Sequence, residues 1–256
     1  MPRFSANITT LFTERAPLDR ITAAADCGFR GFEVQFPYDI PIDDWVAAKE
    51  RAGLDVSVIN LPAGDFAQGG PGLAAVPGRE GQFRAAVAEA RLYAEALEPR
   101  CVNLLAGIAP EKLGLDACRA TLIENARYAA EAFTPLGIRV VIEAINTRDR
   151  PGFFIATSAD ALDLIDTVGH PNLGLQYDLY HMHIMESALV ETLTRLIGRI
   201  GHIQFADAPG RHEPGTGDID FAAAFAAIDA LGYDGWVAAE YIPSKRTEET
   251  LHWLKA

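Results

Sequence analysis

Leu136-Gly137-Ile138-Arg139-Val140-Val141-Ile142-Glu143 is the stretch that decides the architecture. An apolar residue followed by glycine closes a helix, because glycine accepts the left-handed conformation that ends the last turn. The run that follows is continuously apolar, as a strand covered by helices on both faces of a parallel sheet must be, and it ends on a carboxylate. Helix stop, buried strand and polar strand end make one βα step. The helix stop recurs at Cys27-Gly28, Ala52-Gly53, Val168-Gly169, Ile197-Gly198 and Leu231-Gly232, and proline replaces the glycine once, in Leu97-Glu98-Pro99.

Between the stops lie amphipathic stretches of helical period. From Arg79 onward, Phe83, Ala86, Val87, Ala90, Ala94 and Leu97 share one face, as do Phe221, Phe225, Ile228 and Leu231. Strands are expected over 4–7, 32–35, 56–61, 101–105, 140–143, 173–178, 200–205 and 236–240. Eight units in 256 residues allow 32 residues each, the length of one βα repeat. The reading is a single (β/α)8 TIM barrel spanning residues 1–256. An open doubly wound sheet is the rival, but no GxGxxG follows the first strand. The Gly- and Pro-rich segment 63–78 reads as a long loop, and His252 is placed in a terminal helix.

Composition narrows function. Lys+Arg 22 against Asp+Glu 35 gives a net charge of −13, a field that repels phosphate backbones and anionic membranes, so neither nucleic acid nor membrane is an expected partner. Three cysteines without CxxC spacing describe no disulfide framework. No apolar leader or membrane span is visible, and a cytoplasmic location is expected.

A TIM barrel carries its chemistry at the C-terminal ends of its strands. The last four strands end in Glu143, Asp178, Gln204 and Glu240, spaced by 35, 26 and 36 residues. One such residue would be an ordinary step into solvent. Three carboxylates converging from successive repeats would repel one another without a cation, and a bound divalent cation resolves the repulsion. Four oxygen donors suit Mg²⁺ or Mn²⁺, so all four are candidate metal ligands. Glu143 and Glu240 are also candidates for removing a proton from one carbon of a bound carbonyl compound and returning it to the next. His181, just past Asp178, and Arg211, in the loop after strand seven, are candidate substrate-binding residues, with Asn7, Asn60 and Asn103 completing a polar wall. Arg148, Arg150, Lys245 and Arg246 read as solvated loop residues, and His202 as a satisfied core histidine.

Taken together, Arg3-Phe4-Ser5-Ala6-Asn7, Phe36-Pro37-Tyr38-Asp39, Asn60-Leu61-Pro62-Ala63-Gly64-Asp65, Pro77-Gly78-Arg79-Glu80, Pro151-Gly152-Phe153, Gln176-Tyr177-Asp178, Tyr180-His181-Met182 and Glu213-Pro214-Gly215-Thr216-Gly217 resemble the hydroxypyruvate isomerases of the xylose isomerase-like barrels. The resemblance implies interconversion of hydroxypyruvate and 2-hydroxy-3-oxopropanoate through an enediolate. It makes Glu143 and Glu240 the proton donor and acceptor, in either order, and Glu143, Asp178, Gln204 and Glu240 the ligands of a divalent ion, Mg²⁺ or Mn²⁺, which the amide at Gln204 would weaken or make dispensable. Gln204 stands where related sugar epimerases place a histidine, His183 where glutamine is expected, and Ile242 where a lysine precedes the proline. Other readings are a 2-oxo-tetronate isomerase, a ketose 3-epimerase, an abasic-site endonuclease relative, and a non-catalytic sugar- or metal-binding barrel. The expected partner is a small hydroxy-oxo acid or sugar, with homo-oligomerisation open.

Overall fold

The computed structural model describes residues 1–255. Eight parallel strands, β1 (Arg3–Asn7), β2 (Gly31–Val34), β3 (Asp55–Asn60), β4 (Cys101–Leu104), β5 (Arg139–Glu143), β6 (Leu173–Asp178), β7 (Ile200–Phe205) and β8 (Trp236–Ala239), pair in chain order, and β8 closes on β1. The expected xylose isomerase-like (β/α)8 barrel is what the chain builds. Seven crossovers carry helices: α1 (Asp19–Asp26), α2 (Ile42–Ala52), α3 (Glu80–Leu97), α4 (Leu115–Phe133), α5 (Ser158–Val168), α6 (Leu179–Met185) with α7 (Leu189–Leu196), and α8 (Phe221–Ala230).

Glycine ends these helices much as the pattern required. Gly28, Gly53, Gly137, Gly169 and Gly232 adopt positive φ, whereas Gly198 lies inside a 3-10 turn, Ile197–Arg199, that leads directly into β7. The second departure is at the C-terminus. The expected terminal helix is replaced by 3-10 turns at Thr247–Thr250 and His252–Lys255. Trp253 takes over the covering role there, packing edge-on against Phe4 and Phe205 at 5.2 and 5.0 Å and donating from Nε1 to the Tyr241 hydroxyl at 3.3 Å.

Hydrophobic residues divide by pleat. Outward-facing strand residues such as Phe32, Val102, Ile142, Leu175 and Ile203 join the helices in the main core, where each buried aliphatic side chain contributes about 1.5–3 kcal/mol. Inside the barrel only a small apolar plug of Val58, Cys101 and Val141 forms. Above it the interior turns polar: Ser57 donates to Ser5 at 3.0 Å, and Glu33, Asn103, Gln176, His202 and Gln204 are all buried. Buried polar groups on this scale need a hydrogen-bond network or a ligand. Among the described residues, no helix is long and apolar enough to cross a membrane.

Candidate active site

The polar interior opens into a cavity of about 150 Å³ lined by Gln35, Asn60, Glu143, Gln176, His181, Gln204, Arg211 and Glu240, among others. That is small beside the roughly 300–1,000 Å³ of pockets for drug-sized ligands, and suits a compact substrate of a few carbons.

Glu240 follows β8 and is 3% exposed. Its Oε1 accepts hydrogen bonds from Asn7 Nδ2 at 2.9 Å and Gln35 Nε2 at 2.6 Å, and its Oε2 accepts from Arg211 at 2.7 Å. Burial raises the carboxyl to about 7; Arg211 pulls against that shift, while Asp178 and Glu33 add to it. Glu143 ends β5, and its Oε2 accepts from Asn103 Nδ2 at 2.8 Å. Burial, with Glu240 and Asp178 nearby, holds Glu143 well above the usual carboxylate range; Asn103 and Arg211 act in the opposite direction. Both carboxyls are thus raised by burial in one cavity, and they differ in their partners: three side-chain donors, one of them cationic, meet Glu240, whereas Asn103 donates to Glu143. An acid and a base can coexist where two titratable groups stand in such different surroundings.

Asp178 ends β6 and caps α6, its Oδ1 accepting the Tyr180 N–H at 2.9 Å. Its Oδ2 faces His181 Nε2 at 3.4 Å and Arg211 at 3.8 Å. The His181 tautomer follows from its neighbours. Asn146 Oδ1 accepts the Asp149 N–H, so the Asn146 amide nitrogen donates, to Asp149 Oδ2 at 3.0 Å and to His181 Nδ1 at 2.6 Å. His181 consequently carries its proton on Nε2, which faces Asp178 and, at 3.9 Å, Glu143. Burial lowers the ring's pKa to about 4, so it is a neutral donor at physiological pH.

Arg211 reaches the cavity from a left-handed backbone position, φ 57°, that only a tightly held loop maintains in a non-glycine residue. Asp207 supplies the hold. Its buried carboxylate accepts five backbone N–H groups, from Ala208, Gly215, Thr216, Gly217 and Ile219, at 2.8–3.1 Å. The Ile242 N–H bonds the Arg211 carbonyl at 2.7 Å, tying the loop to the chain beyond β8. The guanidinium lies over the Tyr180 ring, 5.1 Å from its centroid.

The proposed metal ligands are not all brought together. Ligand atoms of Glu143, Asp178 and His181 lie within 4.8 Å of one another and could hold an ion. Gln204 instead donates to Glu33 at 2.6 Å and accepts from Gln176 at 2.6 Å, and Glu240 is engaged by Arg211. His181 could ligate through Nε2 only by giving up the proton that Asn146 fixes there. A hard cation thus fits Glu143 and Asp178 best, through oxygen.

Asn60 lines the cavity as expected, whereas Asn7 and Asn103 act on the glutamates. Glu33, Gln35, Gln176, Asn146 and Asp149 are site residues that strand-end reasoning does not single out. Arg150, read as solvated, lines the cavity over the Phe66 ring. His202 is only half satisfied, with Nε2 on Glu33 at 2.7 Å and Nδ1 unpaired.

Comparison with known proteins gives the family. The sequence profile of the xylose isomerase-like TIM barrel family matches residues 21–256, and the chain belongs to that family. It is 46% identical over 254 residues to the hydroxypyruvate isomerase of Escherichia coli, covering 99% of this chain and 98% of that protein. It is 42% identical to the 2-oxo-tetronate isomerase of Cupriavidus necator, covering 100% and 98%. A crystal structure described as AP endonuclease, family 2, from Brucella melitensis superposes with TM-score 0.96 at 42% identity, covering 100% of this chain and 98% of that one. The 3-keto-D-glucoside 4-epimerase of E. coli shares the fold, with TM-score 0.80 at 20% identity over 100% and 99% of the two chains.

Proposed function

We propose that this member of the xylose isomerase-like TIM barrel family is an isomerase of small hydroxy-oxo acids, interconverting hydroxypyruvate and 2-hydroxy-3-oxopropanoate. The observation that carries the reading is the pair of buried glutamates, both raised by burial and differently hydrogen-bonded, that line one compact cavity. The full-length likeness to isomerases of three- and four-carbon oxo acids supports it.

Glu240, whose ionised form is stabilised by three donors including the Arg211 guanidinium, is the base that takes the proton from C3. The electron pair released forms the C2–C3 double bond and moves the carbonyl electrons onto O2. Neutral His181, through Nε2–H, and Arg211 face that developing oxyanion. Glu143, in its acid form, delivers a proton to C2 while the hydroxyl proton passes from O3 to O2. The substrate loses one hydrogen from C3, gains one at C2 and moves one from O3 to O2; Glu240 ends protonated and Glu143 ionised, and proton exchange with solvent returns both to their starting states. Glu143 and Asp178 would hold a Mg²⁺ or Mn²⁺ ion, which when bound adds positive charge where the oxyanion develops. Arg211 and Arg150, both lining the cavity, supply cations for a substrate carboxylate.

Turnover of hydroxypyruvate, 2-oxo-tetronate and a ketohexose by the purified protein tests this directly. Preference for hydroxypyruvate supports the reading. Preference for the four-carbon acid moves the protein to the sister activity, and activity on the ketohexose alone refutes an oxo-acid substrate.

A further inference from the structure

One polar atom in the cavity floor has no partner. Gln176, on β6, is 1% exposed, lines the cavity and donates from Nε2 to Gln204 Oε1 at 2.6 Å, yet its own Oε1 is buried without a hydrogen bond. An unpaired buried acceptor is costly unless a ligand satisfies it.

The orientation of this amide is dictated from a distance. Asn7 Oδ1 accepts the Thr9 backbone N–H at 2.9 Å, which makes Asn7 Nδ2 the donor to Glu33 Oε1 at 2.8 Å. The same Glu33 oxygen lies 2.6 Å from the Gln204 amide, and Glu33 Oε2 lies 2.7 Å from His202 Nε2. An acceptor already receiving Asn7 must be met by the NH₂ of Gln204, not its oxygen. Gln204 Oε1 therefore points to Gln176, Gln176 answers with its NH₂, and the acceptor of a cavity-lining residue is left unpaired. Glu33, deep in β2, thus fixes the hydrogen-bond polarity of a floor it does not itself reach.

We infer that Gln176 Oε1 is a specificity determinant that accepts the hydrogen bond of a substrate hydroxyl, with Glu33 as the positioning residue that keeps it an acceptor. This rests on the proposed oxo-acid reading and refines it. A floor that presents Gln176 Oε1 as an unpaired acceptor disfavours a substrate carboxylate and welcomes a donor. The only donor on a small hydroxy-oxo acid is its hydroxyl. The hydroxyl-bearing carbon lies at the floor, and the carboxylate lies toward Arg211 and Arg150.

Glycerate and lactate of matching C2 configuration differ by the terminal hydroxyl alone, and neither is turned over by the proposed reaction. Calorimetric affinities for both therefore test the inference separately from catalysis. The wild-type protein should bind glycerate about tenfold more tightly than lactate, the discrimination one well-placed hydrogen bond gives. Gln176→Met should bring that ratio close to one while leaving lactate affinity within about twofold. Glu33→Gln, which keeps Gln176 but lets the amide chain turn, should also lower the ratio. An unchanged ratio in Gln176→Met, or no preference in the wild type, overturns the role of Gln176. An unchanged ratio in Glu33→Gln overturns the polarity relay. Failure of the wild type to isomerise any oxo acid would count against the proposed function and not against this contact.

Discussion

Strands β5–β8 and strands β1–β4 furnish the same barrel mouth with different chemistry. The second half brings Glu143, Asp178 and Glu240, together with His181 and Arg211 in the segments after β6 and β7. The first half brings amides and one buried anion: Asn7, Gln35 and Asn103 donate to the glutamates, and Glu33 organises Asn7, Gln204 and His202. One half carries the groups assigned to the reaction, and the other holds them at the required orientation and acidity. The difference shows how a charge-rich site is held: Glu143 and Glu240 receive donors from the first half, whereas Asp178 is met within its own half by the Tyr180 N–H.

Replacements across this division separate the two roles. The largest effects belong to the second half. Glu240→Gln and Glu143→Gln should each reduce turnover by about 10²–10⁴-fold with the fold retained by circular dichroism; near-normal activity in both would erase the distinction between acting and supporting halves. Arg211→Met comes next, with kcat/KM down by about 10²–10³-fold from loss of a charged donor in the cavity. It should also move the pH profile. Glu240 is ionised above its pKa of about 7, so activity of the wild type should rise through about pH 7; without the arginine that lowers this pKa, the rising limb should shift to higher pH. A limb that stays in place would assign it to another group.

Asp207→Ala should cost about 3 kcal/mol of stability by stranding five backbone N–H groups, with KM raised as the Arg211 loop loosens, measured by denaturant unfolding and steady-state kinetics. The first half gives smaller effects. Asn103→Ala removes the one side-chain donor on Glu143 and should lower kcat by about tenfold while raising that carboxyl's pKa further. The mildest prediction concerns the ion: a chelator should lower the melting temperature and turnover together, and Mg²⁺ or Mn²⁺ should restore both. No change in either would remove the metal from the account.

The same division governs what the chain discloses before folding. Every strand of the barrel is visible because parallel strands buried on both faces are apolar runs, and Glu143, Asp178, Gln204 and Glu240 stand out because each interrupts such a run at its end. Glu33 gives no such signal: it lies within Gly31-Phe32-Glu33-Val34, where only the inward pleat of a closed barrel explains a carboxylate. Gln176 is hidden in the same way, two residues before the conspicuous Asp178. Asn146 and Asp149 occupy a loop whose meaning lies in its contact with His181, 35 residues away from Asn146, and no local pattern encodes that meeting. The final turn misleads for a related reason. Its helical composition gives way to 3-10 turns that carry Trp253, whose aromatic packing covers the seam that a helix after β8 would otherwise cover.

Proton transfer by Glu143 and Glu240 is the central claim, and solvent exchange reads it most directly. With hydroxypyruvate in D₂O, proton NMR should show deuterium entering C3 of recovered substrate and C2 of product, and this exchange should vanish in Glu240→Gln. Isomerisation without any solvent deuterium in either position, or undiminished exchange in that variant, would contradict it.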